Sequence, residues 1–309
     1  MKVLHTVPEK NVLKNPVITI GNFDGVHIGH QRILSTLSEI AGVRSGESIV
    51  LTFSSHPRRI ITPDISIRHI TSTDEKIALM ERFHIDYMIF MDFSQDIAGL
   101  NALEFYNNYL VDRIGAKEIV IGYDHAFGKN REGDLGFLTR LSESSGIGIT
   151  RIDEVILDSR PVSSTWLRDE ITMGNFRAVT ELLGRRYGIQ GSVARGAGRG
   201  RTLGFPTANI APHDPEKLIP GDGVYAVSVI INGKLHKPGM ANIGNNPTFD
   251  QKERTIEVNI FDFDEDIYDA HITVEFHERI RDEIKFDGPD ALIQQIKKDR
   301  AAALALIHG

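Results

Sequence analysis

The residues with the clearest potential for chemistry lie in segment 21–30, where His27 and His30 stand three positions apart. The segment follows a β-branched run at 17–20 and precedes a stretch with helical periodicity at 28–40. Side chains three apart share one face of a helix, and a helix start offers N–H groups that attract phosphate. Two imidazoles there can donate hydrogen bonds to phosphate oxygens in a transition state. The alternative is that both histidines cap or pack the helix.

A second set of phosphate-binding groups lies at 163–168, where Ser164 and Thr165 precede a helical stretch that contains Arg168. Hydroxyls at a helix start can cap the helix or bind phosphate, and arginine can hold phosphate through two N–H groups. A plain helix cap is the alternative. Together with the histidine pair, this segment resembles the second signature of the nucleotidylyltransferase superfamily. Those enzymes use direct attack on an α-phosphorus, so catalysis rests on positioning and charge stabilisation.

Two segments after predicted strands stand where the acceptor of such a reaction would bind. Residues 52–58 include His56 and Pro57, and residues 122–134 include Phe127. Loops at the carboxyl ends of parallel strands carry ligand sites in open α/β sheets. An aromatic ring such as Phe127 can stack on a flat ligand, although packing in the core is the alternative.

The second half of the chain carries different phosphate chemistry at 198–209, a segment rich in glycine and arginine that can wrap a polyphosphate. Thr207 and Asn209 lie two positions apart, so on an extended segment their oxygens point the same way and suit Mg²⁺. Glu257 stands within an apolar strand and can accept the hydroxyl proton that kinase chemistry releases. The alternative is that Glu257 faces solvent.

Short apolar strands alternate with amphipathic helical stretches in the first half of the chain, and one such helix is predicted at 103–114. This alternation predicts βαβ units that build a parallel sheet covered on both faces. Right-handed crossovers then place the functional loops at the carboxyl ends of the strands.

After residue 184 the strands follow one another through turns such as Asn232-Gly233, without crossover helices. This pattern predicts an antiparallel β-barrel, which a helix at 289–307 follows. We therefore predict two domains, residues 1–185 and residues 186–309.

The chain has 309 residues, no cysteine and a formal net charge of -7. The absence of cysteine excludes disulfides, thiolate metal sites and cysteine nucleophiles, and the acidic balance does not favour nucleic acid. The sequence has no signal-peptide pattern at its start and no run near the roughly 18 apolar residues of a membrane-spanning helix. We expect a cytoplasmic protein without nucleic-acid or membrane partners. The oligomeric state stays open, including a homo-oligomer.

Over nearly its whole length the chain resembles the prokaryotic bifunctional riboflavin kinase/FMN adenylyltransferases, a family also called FAD synthetases. The matching segments, in the expected order, are 21–30, 56–57, 122–134, 163–168, 200–209, 241–249, 257 and 281–286. The resemblance implies an α/β nucleotidylyltransferase-type parallel-sheet domain, followed by an antiparallel β-barrel domain with a C-terminal helix. It also implies two reactions with ATP as co-substrate: phosphorylation of riboflavin to FMN in the barrel, and adenylylation of FMN to FAD and pyrophosphate in the first domain.

In the first domain the resemblance implies that His27, His30 and Arg168 are catalytic. Its ATP-binding residues would be Gly21, Phe23, Asp24, Gly29, Ser164 and Thr165. Its flavin-binding residues would be His56, Pro57, Asp124 and Phe127.

In the second domain the resemblance implies that Glu257 is the catalytic base and that Thr207 and Asn209 bind Mg²⁺. The flavin would contact Arg281 and Glu283. The ATP-binding residues of the kinase site would be Gly198, Arg201, Gly204 and Pro206.

Three other functions have to be weighed against this one. An adenylyltransferase with a single function would lack the Pro-Thr-Ala-Asn domain, so the second half of the chain argues against it. A flavin-binding regulator without activity would not need His27, His30, Arg168 and Glu257 together. A tRNA-charging enzyme shares the His-Ile-Gly-His pattern, but this chain has no lysine-rich partner loop and no evident basic surface for an anticodon.

Overall fold

The computed structural model describes residues 1–54, 68–129, 132–195, 200, 203–245 and 254–308. The chain forms two compact units, Met1–Ser164 and Thr165–Gly309. Each unit has a buried hydrophobic core of its own.

The first unit is built on a sheet whose described strands are β1 (Lys2–Leu4), β2 (Val17–Ile20), β3 (Ser48–Phe53), β4 (Tyr87–Met91), β5 (Glu118–Gly122) and β6 (Gly148–Ile152). Their order is β1-β4-β3-β2-β5-β6, and every neighbouring pair is parallel. The predicted parallel sheet is therefore confirmed. The chain moves outward in one direction through β3 and β4 and in the other through β5 and β6. The carboxyl end of β2 thus lies at the point where ligands bind in such sheets.

The described α-helices that follow the first strands of this unit are α1 (Ile28–Val43), α2 (Thr73–Glu81), α3 (Gln95–Gly99), α4 (Ala102–Phe105) and α5 (Leu135–Ser145). Alternate residues of β2 point to opposite faces, so Ile18 packs beneath α5 whereas Val17 packs beneath α1 and α2. A capping box fixes the start of α2: Ser72 accepts a hydrogen bond from the amide of Glu75, whose carboxylate accepts one from the amide of Ser72.

A helix occupies the predicted range 103–114, but only its start, within α4, is α-helical. The larger part, Tyr106–Ile114, is a π-helix, and it ends at Gly115 with a φ of 69°. The spacing of apolar residues does not distinguish these two hydrogen-bonding patterns, so the sequence predicts the helix without its geometry. A short hairpin of β7 (Ile156–Leu157) and β8 (Arg160–Pro161) follows the sheet.

The second unit contains a closed antiparallel barrel, as predicted. Its described strands are β9 (Gly188–Ala194), β10 (Ala208–Pro212), β11 (Gly223–Ile231), β12 (Leu235–Asn245), β13 (Arg254–Ile260) and β14 (His271–Arg281). They close in the order β10-β13-β12-β11-β14-β9. Asn232 and Gly233 join β11 to β12 with φ values of 50° and 68°, the geometry of a tight hairpin turn. The C-terminal helix α8 (Pro289–His308) packs against β11, β12 and β14.

Two helices precede the barrel, α6 (Ser164–Met173) and α7 (Phe176–Leu183). Phe176 of α7 stacks on Phe276 of β14 with ring centroids 4.8 Å apart and contacts Tyr225 of β11 edge to face at 5.6 Å. The division between the compact units falls after Ser164, ahead of both helices. The sequence places the domain boundary after residue 185, because an amphipathic pattern does not show which core a helix joins. That boundary stays a prediction.

Replacing Phe176 by alanine tests the packing of α7 on the barrel. Phe176 is fully buried, so Phe176→Ala should lower the free energy of unfolding by about 3–5 kcal/mol. Trp166, the single tryptophan, is buried in α6 and reports the transition by fluorescence during urea denaturation. Arg177→Ala is the matched control, because that side chain is 84% exposed in the same helix. Equal stabilities of the two variants would contradict this packing.

Candidate active sites

The turn between β2 and α1 has an unusual backbone. Phe23, Gly25 and Val26 have φ values of 49°, 84° and 43°. A left-handed conformation suits glycine, but it is strained for phenylalanine and more so for β-branched valine. The turn that carries the predicted histidines therefore needs support from outside itself.

Asp24 supplies much of that support. Its carboxylate accepts hydrogen bonds from the backbone amides of Ile70 and Thr71, at 3.0 and 3.1 Å, and it is only 3% exposed. The Thr71 hydroxyl accepts a hydrogen bond from the amide of Gly25 at 3.1 Å. The sequence predicts Asp24 as an ATP ligand, whereas in the structure its carboxylate holds the turn in shape. Its contact with ATP stays a prediction.

The two histidine rings stack with centroids 3.7 Å apart and planes inclined by 17°. His27 caps α1, because its Nδ1 accepts a hydrogen bond from the amide of His30 at 3.3 Å. Its Nε2 is then the ring nitrogen able to donate to a phosphate oxygen. Burial, and after it the charges of His27 and Lys76, hold the pKa of His30 well below its ordinary value. His30 is therefore a neutral donor at pH 7.

Gly21 and Gly29, the two glycines of this turn that the sequence predicts to bind ATP, lie against aromatic rings. A Cβ added at Gly21 would come within 3.0 Å of the ring of Phe23, and one at Gly29 within 3.2 Å of the imidazole of His27. Glycine at both positions thus lets the turn fold closely around its own side chains.

The second predicted phosphate-binding segment begins helix α6. The hydroxyl of Ser164 donates a hydrogen bond to the carbonyl of Asp24 at 2.9 Å, which attaches the start of α6 to the turn. Thr165 and Arg168 follow in the same helix, within the second compact unit. Their roles stay predictions.

The predicted flavin residues of the first unit meet different fates. Asp124 follows β5 at the carboxyl end of the sheet, where a ligand loop is expected. Phe127 is only 9% exposed and packs against Phe105, with ring centroids 5.3 Å apart, in the core of this unit. This placement favours the packing alternative for Phe127. His56 and Pro57 lie outside the described residues.

In the barrel, neighbouring strands align three polar residues. Glu257 of β13 pairs with Asn209 of β10 on one side and with Asn242 of β12 on the other. Directly opposed residues of antiparallel strands share one face, so these side chains form a row across the wall. The Thr207 hydroxyl donates a hydrogen bond to the Glu257 carboxylate at 3.2 Å. The structure thus brings Thr207, Asn209 and Glu257 together.

A cavity of about 330 Å³ lies beside this row. Thr207, Asn242 and Glu257 line one part of it, and the apolar side chains of Leu292 and Ile296 from α8 line another. The segment after β14 contributes a further part of the wall, including Glu283 and Phe286. The cavity therefore combines a large apolar surface with a few polar groups, which is typical of a site for a flat organic ligand.

Arg281, predicted to bind flavin, is engaged within the protein. Its Nε donates to both carboxylate oxygens of Asp299 in α8, at 3.1 and 3.0 Å, and a terminal nitrogen donates to one of them at 2.8 Å. Gln295 donates to the same carboxylate at 2.8 Å. Arg281 lines the cavity, but this ion pair fixes helix α8 against β14. Asp299 carries no sequence signal apart from its place in the helical pattern.

A second cavity of about 240 Å³ is lined by Pro206, Ala208 and residues between Phe263 and Tyr268. Thr207 lines both described cavities. Asn259 is buried and lies two residues after Glu257 in β13. Its side-chain amide donates a hydrogen bond to the carbonyl of Pro206 at 2.7 Å, which fixes the backbone just before β10. The sequence analysis missed Asn259, although its polarity on an apolar strand is a signal of the same kind as that of Glu257.

The remaining predicted residues of the kinase site surround the same segment. Gly204 has a φ of 82°, a conformation that favours glycine. Gly198 and Arg201 lie outside the described residues. In the ranges the structure describes, no group of three or more His, Asp or Glu side chains could hold a metal ion by itself. The oxygens of Thr207 and Asn209, with phosphate and water, fit the ligand preference of Mg²⁺.

Comparisons with known proteins match both halves of the chain. A family model described as FAD synthetase matches residues 9–166, and one described as riboflavin kinase matches residues 183–307. A bifunctional riboflavin kinase/FMN adenylyltransferase from Listeria monocytogenes is 37% identical over 288 residues, 92% of this chain and 90% of the relative. A relative of the same name from Bacillus subtilis is 33% identical over 312 residues, 98% of each chain.

A crystal structure from Streptococcus pneumoniae, described as a macrolide-efflux protein, has 33% identity to this chain and a TM-score of 0.89. The aligned region covers 98% of this chain and 99% of the chain in that crystal structure. Among the helices of this chain that the structure describes, none has the length and apolar character needed to cross a membrane.

The parallel sheet with its histidine turn and the barrel with its glutamate-lined cavity define a class of two-domain enzymes that act on phosphates. The family models assign one half to FAD synthetase and the other to riboflavin kinase. The chain belongs to the family of bifunctional riboflavin kinase/FMN adenylyltransferases.

Asp299→Asn tests the ion pair that fixes α8. The change leaves the guanidinium of Arg281, whose side chain is 17% exposed, without a countercharge, so the free energy of unfolding should fall by about 3–5 kcal/mol. Asp262→Asn is the matched control, because Asp262 pairs with Arg300 of the same helix but is 80% exposed, and its loss should cost at most about 1 kcal/mol. Urea denaturation of both variants measures the difference. Equal small losses would refute the structural role of Asp299.

Proposed function

We propose that the two activities of the family are divided between the two sites. The barrel phosphorylates riboflavin with ATP to give FMN, and the sheet unit joins AMP from a second ATP to FMN, giving FAD and pyrophosphate. The observation that carries the proposal is the pairing of Thr207 with Glu257 beside a cavity of about 330 Å³, separate in the chain from the stacked pair His27 and His30.

In the kinase reaction, Glu257 accepts the proton of the terminal ribityl hydroxyl while the oxygen of that hydroxyl attacks the γ-phosphorus of ATP. The oxygen–phosphorus bond to ADP breaks, so the products are FMN and ADP. The row of Asn209, Glu257 and Asn242 supports this role, because it places the carboxylate at the polar edge of the cavity. A general base of this kind contributes about 10²–10⁴ to the rate.

The two cavities provide room for the two substrates of the kinase reaction. The isoalloxazine ring would occupy the larger one, between α8 and the segment after β14, and the nucleotide would occupy the smaller one. Thr207 lines both, so the reacting groups would meet beside Glu257. Thr207 and Asn209 would hold Mg²⁺ there, which would neutralise charge on the β- and γ-phosphates.

In the adenylyl transfer, an oxygen of the FMN phosphate attacks the α-phosphorus of ATP and pyrophosphate leaves. The amides at the start of α1 and the Nε2 proton of His27 face the developing charge, and neutral His30 provides a further donor. Arg168 lies one helical turn after Ser164 and on the same side of α6, and its contact with the phosphates is part of the proposal. Asp124 would contact the flavin from the loop after β5.

Incubating the chain with riboflavin, ATP and MgCl₂, followed by chromatography, tests the proposed function as a whole. FMN should appear first and FAD afterwards. A chain that forms no FMN from riboflavin would refute the kinase activity, and one that forms no FAD from supplied FMN would refute the adenylyl transfer. The cytoplasmic location stays a prediction, and the oligomeric state stays open.

Replacement of His27 separates its capping role from its role in chemistry. His27→Ala should lower FAD formation by about 10²–10³-fold, as expected for the loss of one transition-state donor, while FMN formation survives. His27→Asn keeps an oxygen that can accept the amide proton of His30, so it should preserve the helix cap but still lose most FAD formation. Chromatographic rates and thermal stability measure these effects. Near-normal FAD formation by His27→Asn would show that His27 only caps the helix.

Replacement of Glu257 tests the proposed base. Glu257→Gln keeps an acceptor for the Thr207 hydroxyl but cannot take a proton, so the rate of FMN formation should fall by about 10²–10⁴-fold. FAD formation from supplied FMN should continue. Glu275→Gln, on strand β14 and outside both described cavities, is the control. Kinase rates for Glu257→Gln that equal those of the control would rule out Glu257 as the base.

A further inference from the structure

The described structure contains a buried lysine that the proposed mechanism does not use. Lys76 of α2 is only 8% exposed, and its Nζ donates a hydrogen bond to the carbonyl of Asn22 at 2.8 Å. A lysine is seldom buried unless its charge is compensated, because removing an ammonium from water is costly. The place of Lys76, directly beneath the phosphate-binding turn, therefore calls for an explanation.

Lys76 contacts the turn at its strained part. Asn22 precedes Phe23, the first residue with positive φ, and the carbonyl of Asn22 also accepts a weaker hydrogen bond from Thr52 at 3.4 Å. The carboxylate of Asp24 fixes the next residues through the amides of Ile70 and Thr71. Residues 70–76 thus hold the turn at two successive points. The amides of Ile70 and Thr71 bind the carboxylate of Asp24, and the ammonium of Lys76 binds the carbonyl of Asn22.

Charge links Lys76 to the reacting end of the turn. Burial lowers the pKa of Lys76, and the carboxylate of Asp24 opposes that shift, so the two groups compensate each other. The ammonium is also among the causes that lower the pKa of His30, after burial and His27. Lys76 therefore acts electrostatically on the same histidine that the turn presents to phosphate.

We propose that Lys76 is a positioning residue for adenylyl transfer, which holds the Asn22 carbonyl so that the turn keeps the conformation that binds the phosphates of ATP. The proposal rests on the assignment of adenylyl transfer to this unit. Lys76 does not touch the reacting atoms. It acts through the backbone of residues 22–26, and a displacement of about 1 Å in such a turn can cost about 10²-fold in rate.

The test compares Lys76→Met with Lys117→Met, a change at an exposed lysine of the same unit. Lys76→Met should raise the KM for ATP in FAD formation about tenfold and lower kcat/KM for ATP about 10²-fold. The KM for FMN and the rate of FMN formation should not change, and Lys117→Met should behave as the wild type. A purely structural role would reduce the amount of active enzyme without changing the KM for ATP.

Two further variants keep the proposal testable if Lys76→Met does not fold. Lys76→Gln retains a donor for the Asn22 carbonyl and should recover part of kcat/KM. Thr71→Val removes the hydroxyl that accepts a hydrogen bond from the amide of Gly25, so it should also raise the KM for ATP. An unchanged KM for ATP in folded Lys76→Met, or in Thr71→Val if the first does not fold, would overturn the proposal. A wild-type chain that forms no FAD would instead refute the proposed adenylyl transfer, and the role of Lys76 with it.

Discussion

The carboxylate of Asp24 accepts hydrogen bonds from the backbone of Ile70 and Thr71, and through them it holds a turn whose own residues disfavour their conformation. Left-handed backbone at Phe23 and Val26 costs on the order of 1–3 kcal/mol each. Hydrogen bonds to a buried charged group contribute about 1.5–3 kcal/mol each, so this acid can offset the strain. The geometry of the first site depends on that balance.

In the barrel, the register of neighbouring strands, rather than a buried carboxylate, positions the polar side chains of the site. Asn209, Glu257 and Asn242 fall in one row because three neighbouring strands are aligned by backbone hydrogen bonds. A slip of one residue would turn Glu257 to the other side of the wall. Helix α8, fixed by Asp299 and Arg281, then encloses the space beside that row. One site is thus organised by buried charge around a loop, and the other by regular pairing of strands.

The sequence predicts the alternation of strands and long helices well because the apolar patterns are strong, and β2 coincides with the β-branched run at 17–20. It misses α2, whose apolar face is weak, and β9, which contains two glycines. The sequence motifs identify the histidine pair in the first unit and Thr207 and Glu257 in the barrel. Asp299 and Lys76 stay hidden, because their partners are far away in the sequence and only the tertiary fold brings them together.

The stacked imidazoles also bear on how the second product leaves. Because burial holds the pKa of His30 below its ordinary value, this ring would meet the departing pyrophosphate as an uncharged donor if it lies at the phosphates as proposed. Uncharged donors can stabilise a brief transition state, yet they hold a stable anion less firmly than imidazolium would. In that position His30 would assist bond breaking without binding the released pyrophosphate tightly, which would favour rapid turnover.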